Sequence, residues 1–398
     1  MRWGLALVLV AGRAWADAPA DVTADQAVEL YRQNSPRLVA TRAQVDVTAA
    51  DLVEAGIYPN PELTVSTTNI VQGQDTFGHS QELLQVDVPI LIGGQRGHRR
   101  DAARARIATK RAEVAAGQAG AEIEIRRKFV ALLAAQQRVV AFTAALDEVK
   151  AVRVIVAGRQ AAGAKSPYDL ERTDLAVATA ASKLDGANID ADAASGALAA
   201  AVGIPSWRPH AIGELKPGAT PPAAVAGEHP ELALPKASAV QARLEEDGAH
   251  ADAVPTPRLQ LQAFGTTDPQ GVAMMFGVNM PLPLFDRNQG AVARAKAQAR
   301  QAELEGRAKA VELGTALANA ARVLAARRDG LARFEADAVE RLPKVRGMAE
   351  ASYKNGQGGI VELLDALDAI SEAKLHDIEL IEAVLGAELD VRAAALGR

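Results

Sequence analysis

The chain contains no cysteine, and only 4% of its 398 residues are aromatic. The absence of cysteine excludes a disulfide framework, a cysteine-based metal site and a cysteine nucleophile, and we expect no lipid anchor on cysteine. Alanine contributes much of the 49% hydrophobic content. This composition favours helices in close contact over a large globular core.

The chain also has no excess of positive charge, since its formal net charge is −5. Removal of residues 1–16 would take away two arginines and leave −7. A general nucleic-acid binder is therefore not expected. The basic run from Arg96 to Arg106 is interpreted as a solvated helix face or as a basic collar.

Patterns typical of catalysis are missing as well. None of the six histidines has a partner at metal-ligand spacing. No glycine-rich stretch continues into a phosphate-binding loop, and no serine lies on a nucleophile elbow. The sequence therefore predicts no enzyme, no cofactor and no metal site of its own.

The first sixteen residues have the pattern of a secretory signal peptide. A basic start is followed by the apolar run Leu5–Val10 and by Ala14-Trp15-Ala16, a small-x-small cleavage site. The alternative is a disordered leader. Further along we identify no apolar stretch of about 18–20 residues, so contact with a membrane would have to use β-strands.

The two halves of the chain resemble each other at a spacing of about 193 residues, which indicates an internal repeat. The matching segments are 34–38 with 228–232, 58–63 with 254–259, 86–89 with 278–281, and 163–170 with 356–363. We therefore predict a first structural repeat over 17–202, a linker or equatorial segment over 203–227, and a second repeat over 228–398. The linker is expected on the outside of the assembly.

Each repeat is predicted to contain a helix, a pair of strands and two long helices. The predicted helices are 24–57, 96–158 and 167–201, then 228–252 and 361–395. A further long helix is predicted from the proline-free stretch 284–342, with a kink at Pro343 near its distal end. The predicted strands are 62–70 with 82–90, and 258–266 with 272–282. Four strands are too few to close a membrane barrel, so a membrane protein of this kind must oligomerise, and a conduit favours three chains. A soluble α+β protein with two hairpins on helical stalks remains the alternative.

The repeated helix, strand pair and long helical hairpin resemble the TolC-type outer-membrane efflux family. Within that family, two segments resemble the heavy-metal branch of cobalt–zinc–cadmium resistance systems. One is Tyr58–Leu63 followed by Leu91–Arg96, and the other is Pro281–Gly290. Both are expected to turn a strand into a long helix, with Asp286 or Asn288 as a helix cap. The resemblance covers essentially the whole chain after the predicted signal peptide.

The resemblance implies long coiled-coil hairpins and four strands per chain in a homotrimer, with a twelve-stranded barrel and a twelve-helix periplasmic tunnel. It implies a passive exit duct in the outer membrane of a Gram-negative bacterium, in contact with outer-membrane lipid, and most of the chain in the periplasm. The duct would dock on a periplasmic adaptor and an inner-membrane RND-type pump that exports heavy-metal cations. The alternatives are export of organic drugs or a secreted protein, and a soluble periplasmic adaptor.

The resemblance also places a pore gate at the second hairpin tip. Glu362 and Asp365, three residues apart on one helix face, would form carboxylate rings that favour cations. The alternative is an ordinary acidic helix start. Asp169 and Tyr353 match tip positions that bond each other in the closed state. The chain departs from the family at Gly358, where a basic residue is expected, and we predict that Arg172 pairs with an acidic tip residue.

Overall fold

The computed structural model describes residues 18–69, 72, 80–161, 167–218, 229–266 and 271–395. The predicted signal peptide lies outside these residues. The helices are α1 (Ala24–Asn34), α2 (Pro36–Gly56), α3 (Gln95–Ala161), α4 (Pro167–Val202), α5 (Pro230–Asp252), α6 (Gln289–Asp337), α7 (Leu342–Lys354) and α8 (Ile360–Ala395). The strands are β1 (Asp21–Val22), β2 (Glu62–Asn69), β3 (Ser80–Pro89), β4 (His210–Ala211), β5 (Arg258–Thr266) and β6 (Gly271–Asn279).

The single helix predicted over 24–57 is wrong, because the chain forms two helices there. Ser35 is extended, with a ψ of 113°, as expected for a residue that precedes a proline. Pro36 then opens α2, where its missing N–H is harmless. The buried Ser35 hydroxyl accepts a hydrogen bond of 3.4 Å from the Leu38 amide, which helps to start the second helix.

The long helices follow the prediction closely. α3 has 67 residues and so extends about 100 Å at 1.5 Å per residue. It contains an 18-residue stretch of mean hydropathy 1.6, which by length and composition could cross a membrane; the expectation that no such stretch exists is therefore wrong. The interruption expected at Pro343 is present as a 3-10 turn, Val339–Arg341, between α6 and α7.

The chain divides into two compact units. The first comprises residues 1–39, 118–227 and 313–398. One of its core clusters joins α1, α3 and α4 to the start of the predicted linker, where Trp207 is 5% exposed and donates from Nε1 to the Pro19 carbonyl at 2.9 Å. The neighbouring β1 and β4 pair in parallel. The described part of the predicted linker therefore begins in the core of this unit, and its place on the outside of an assembly stays a prediction.

The second unit comprises residues 40–117 and 228–312. It contains a four-stranded antiparallel sheet in the order β2-β3-β5-β6. The pairing aligns apolar residues of all four strands on one face: Leu63, Val65, Leu84, Val86, Val88, Leu259, Leu261, Ala263, Val272, Met274, Phe276 and Val278. Phe276 on this face is 74% exposed.

The opposite face of the sheet is largely polar and carries its own hydrogen bonds. Arg258 reaches from β5 to Glu62 on β2 at 2.6 Å, and Gln262 donates to Gln85 at 3.0 Å. Gln85 in turn donates to the buried Asp87 carboxylate at 2.6 Å. The alternation predicted from the sequence therefore gives one apolar and one polar surface.

Candidate gate at the hairpin ends

The predicted gate residues lie in the first unit, where α3, α7 and α8 end or begin. Apolar side chains from these three helices form one buried cluster: Val152, Val156, Tyr353, Ile360, Leu363, Leu364 and Leu367. This cluster fixes the ends of the two hairpins against each other. The charged residues of the site surround it.

Glu362 stabilises the start of α8 in this structure. Its carboxylate accepts a hydrogen bond of 3.1 Å from the Gly359 amide, one of the amides that a helix start leaves without a partner. A β-carbon on Gly358 would lie 2.5 Å from Glu362 Oε2 and 2.7 Å from Ser352 Oγ. The glycine found where a basic residue was expected therefore leaves room for this cap. Glu362 remains exposed, so the cap leaves its charge in contact with solvent.

Asp365 lines a different cavity from Glu362, although the two lie on adjacent turns. Asp365 and Arg172 both border a cavity of about 270 Å³ between α3, α4 and α8. The same cavity holds the ion pair of Lys183 and Asp368, at 2.8 Å. Among the described residues Arg172 has no ion pair or hydrogen bond, so the predicted pairing with an acidic tip residue is not formed there.

Tyr353 is 2% exposed, and Arg159 covers its ring. The guanidinium carbon of Arg159 lies 4.9 Å from the ring centroid. Its two terminal nitrogens donate to the carbonyls of Tyr353 and Lys354, both at 3.3 Å. A cation at these carbonyls also opposes the negative end of the α7 dipole. Arg159 therefore connects the end of the first long helix to the end of α7.

Sequence reasoning missed Arg159. Its position in the last turn of α3, opposite the matched tip of the other repeat, was the available signal. Asp169 lies in the first turn of α4. The buried Thr173 hydroxyl donates to the carbonyls of Asp169 and Leu170, at 3.0 and 2.8 Å. The contact between Asp169 and Tyr353 stays a prediction.

A carboxylate interrupts the apolar seam of α8. Leu363, Ile370, Val384 and Val391 follow one another at heptad spacing and are all buried, and Asp377 takes the middle position of the series. One Asp377 oxygen is buried and has no hydrogen-bond partner among the described residues. Burial and the nearby Glu335 carboxylate raise the pKa of Asp377, although His376 opposes this shift.

A second carboxylate of this unit is half-buried and well paired. Glu122 on α3 receives two hydrogen bonds of 2.8 Å from Arg32 on α1 and one of 2.9 Å from Gln118. Burial alone would raise the pKa of Glu122, but the bonds from Arg32 and Gln118 outweigh it and lower the pKa. This ion pair fixes α1 to α3.

The described residues contain no group of three or more histidine, aspartate or glutamate side chains that could hold a metal ion.

The chain belongs to the outer membrane efflux protein family. The family's sequence profile matches residues 27–204 and 228–397. The family predicted from the sequence motifs is thereby confirmed. It is a family of channel proteins.

A characterised relative is the cobalt-zinc-cadmium resistance protein CzcC of Cupriavidus metallidurans. It is 26% identical over 366 residues, which cover 90% of this chain and 86% of CzcC. The solved structure of CusC has a TM-score of 0.77 at 15% identity, covering 94% of this chain and 92% of CusC. VceC of Vibrio cholerae has a TM-score of 0.75 at 18% identity, covering 94% and 96%. The predicted fold, mainly α with long hairpins and four main strands, is confirmed.

Proposed function

We propose that the chain is the passive outer-membrane exit channel of a tripartite efflux system for heavy-metal cations. The observation that carries the proposal is the sheet with one largely apolar, mostly exposed face and one largely polar face, within the fold of the efflux family. An apolar face of this kind suits lipid, and the polar face suits a water-filled lumen. Transport energy would come from the pump, so the channel needs no catalytic residue.

The proposed assembly is a homotrimer. One chain offers four strands of eight to ten residues, and an open edge is not tolerated in lipid. Three copies would supply the twelve strands that leave a water-filled interior, whereas two copies would give a filled one. The family resemblance supports a periplasmic adaptor and an inner-membrane RND-type pump as partners.

The metal cargo is inferred from the relative CzcC, whose name states cobalt, zinc and cadmium resistance. The test is growth of a deletion strain on zinc, cobalt, cadmium, nickel, copper and silver, beside a panel of organic antibiotics. The expected result is sensitivity to one or two metals, restored by the wild-type gene. Sensitivity to antibiotics alone would overturn the metal assignment and leave the channel.

At the gate we assign cation selection to Glu362 and Asp365. Both side chains are exposed in the single chain, and a trimer would place three of each around the axis. The variant E362Q keeps an oxygen acceptor for the Gly359 amide and removes the charge. Combined with D365N, it is expected to shift the reversal potential in a salt gradient towards lower cation preference. An unchanged potential would contradict the assignment.

Arg172 is proposed to restrain the gate from across the cavity that it shares with Asp365. Its positive charge would oppose the mutual repulsion of three Asp365 carboxylates. R172A is expected to raise single-channel conductance and antibiotic leak. If both stay at the wild-type level, Arg172 has no such role, and the contact proposed between Asp169 and Tyr353 would carry the restraint.

A further inference from the structure

The segment between β6 and α6, residues 280–288 and here called the exit loop, has a conformation fixed by its own polar groups. The Asn288 amide donates to the Asp286 carboxylate at 2.9 Å, and the Asn288 side chain donates to the Ala249 carbonyl at 2.7 Å. Asn288 also takes a positive φ of 60°, a conformation that asparagine tolerates better than most residues. These contacts therefore hold the loop in one conformation.

This fixed loop holds two large apolar side chains in water. Phe285 is 91% exposed and Leu284 is 66% exposed. Neither residue lines the groove beside the loop, which is bordered by Pro281, Leu282 and Pro283. The segment follows directly on β6, whose apolar face includes Phe276 and Val278. The loop therefore extends the exposed apolar surface of the sheet beyond the last strand.

Positive charge follows this apolar surface at once. Residues 280–300 contain three arginines and one lysine against one aspartate, and the first of the arginines is Arg287. The matching exit after β3 repeats the pattern, with Ile92 59% exposed and five arginines against one aspartate in residues 90–106. Two of those five pair with acidic residues of α5. The exposed Arg100 has no ion pair among the described residues.

A large exposed apolar side chain followed by exposed arginines matches the boundary of a phospholipid layer. The Arg287 Nε donates to the Pro283 carbonyl at 3.3 Å. Aromatic rings favour the level between acyl chains and headgroups, and guanidinium groups bind phosphate with two parallel hydrogen bonds. Clustered basic residues at a membrane surface favour anionic lipids. The same surface would not suit a water-filled lumen, where Phe285 would stay unburied.

We infer that the exit loop anchors the channel in the periplasmic leaflet of the outer membrane. Phe285 enters the acyl boundary, and Arg287 and Arg100 bind the phosphates of anionic phospholipids. This inference rests on the proposed function, because it needs the sheet to lie in a membrane. It adds a lipid-binding surface, with a headgroup preference, that the channel function alone does not require.

The test places a tryptophan at the anchor in the full chain, as F285W, in phosphatidylcholine vesicles with or without phosphatidylglycerol. Bromine on the acyl chains quenches nearby tryptophan emission. The expected loss is on the order of twofold for a ring at the acyl boundary, with stronger quenching when the bromine is on phosphatidylglycerol. The wild-type chain supplies the background, which comes from Trp207, 5% exposed in a protein core, and from Trp3 and Trp15 wherever the predicted signal peptide is retained.

Two further variants separate the possible failures. F276W reports on the apolar face of the sheet, and V311W reports on α6, where the native valine is 69% exposed. If F276W is quenched and F285W is not, the anchor is refuted and the channel stands. If neither is quenched, the membrane role itself is refuted. A quenched V311W would show that the lipid signal is not specific, which also refutes the anchor.

The headgroup preference has its own test in F285W combined with R287A and R100A. The double replacement is expected to make quenching by the two brominated lipids equal. Equal quenching already in F285W would refute the phosphate contact. Protection of F285W from both brominated lipid and aqueous iodide would show that another copy of the chain covers Phe285, which overturns the anchor.

Discussion

Removal of Arg159 is expected to loosen the hairpin ends. The side chain makes two hydrogen bonds of 3.3 Å to the last carbonyls of α7 and lies 4.9 Å over the Tyr353 ring. Long bonds from a half-exposed cation contribute about 0.5–1 kcal/mol each, and the ring contact about 0.5–1 kcal/mol. R159A should therefore cost about 1.5–3 kcal/mol in this conformation, which is about 10- to 150-fold in the equilibrium between a closed and a loosened tip.

The assay is single-channel recording of the purified protein in planar bilayers. R159A is expected to increase the time spent in, or the size of, the larger conductance state, and R159K should be intermediate because it keeps the charge without the planar contact. The matched control is R153A on the same helix. Arg153 pairs with Asp174 at the surface, where an ion pair contributes little. Equal conductance in R159A, R153A and the wild type would refute the reasoning.

Three further changes test stability by thermal unfolding. D377V should stabilise the chain by about 1–2 kcal/mol at neutral pH. Because the pKa of Asp377 is raised, the wild-type chain loses stability as the pH rises through the pKa of Asp377 in the native state. The stabilisation by D377V should therefore shrink in acid. E122Q should lower the free energy of unfolding by about 1–3 kcal/mol at neutral pH. Because the pKa of Glu122 is lowered, the stability contributed by its carboxylate is lost as the pH falls through the pKa of Glu122 in the native state. The difference in stability between E122Q and the wild type should therefore vanish in acid. G93A should cost about 1–3 kcal/mol, because a β-carbon there would lie 2.7 Å from the Val254 side chain, whereas G97A meets nothing within 4 Å and is the control. If the stability change of D377V or of E122Q is the same in acid as at neutral pH, the role assigned to that carboxylate is contradicted. Equal stability changes in G93A and G97A would contradict the role assigned to Gly93.

The sequence predicted the structure best where a regular pattern of side chains extends over many residues and is bounded by proline or glycine. The proline-free stretches predicted the long helices, and the alternation in β5 and β6 predicted which side chains share a face. The break at Ser35 was missed because the helical pattern continues through it, although Pro36 restrains its predecessor. The pairing of β3 with β5 joins the two repeats into one sheet, and a contact so distant in the chain leaves no local signal.

The candidate gate was predictable in composition more than in contacts. The spacing of Glu362 and Asp365 was visible, but the hydrogen bond that makes Glu362 a helix cap depends on the position of the Gly359 amide. Arg159 and Tyr353 lie far apart in the chain, so only the packing of α3 against α7 reveals their contact. The partial burial of the Asp377 carboxylate follows from the heptad series once the neighbouring positions are known to be buried.

The order of the four strands has a consequence for how copies of the chain would join. The two edges of the sheet, β2 and β6, have different sequences and opposite chain directions. If β6 of one copy bonds to β2 of the next, the antiparallel alternation continues. This contact joins two different edges and is therefore heterologous, so each added copy is rotated by the same angle relative to the one before it. Such a series ends only when the ring closes, and every unclosed intermediate keeps a free edge that can capture another strand. Because an open edge is not tolerated in lipid, the ring would have to be closed by the time the sheet enters the membrane.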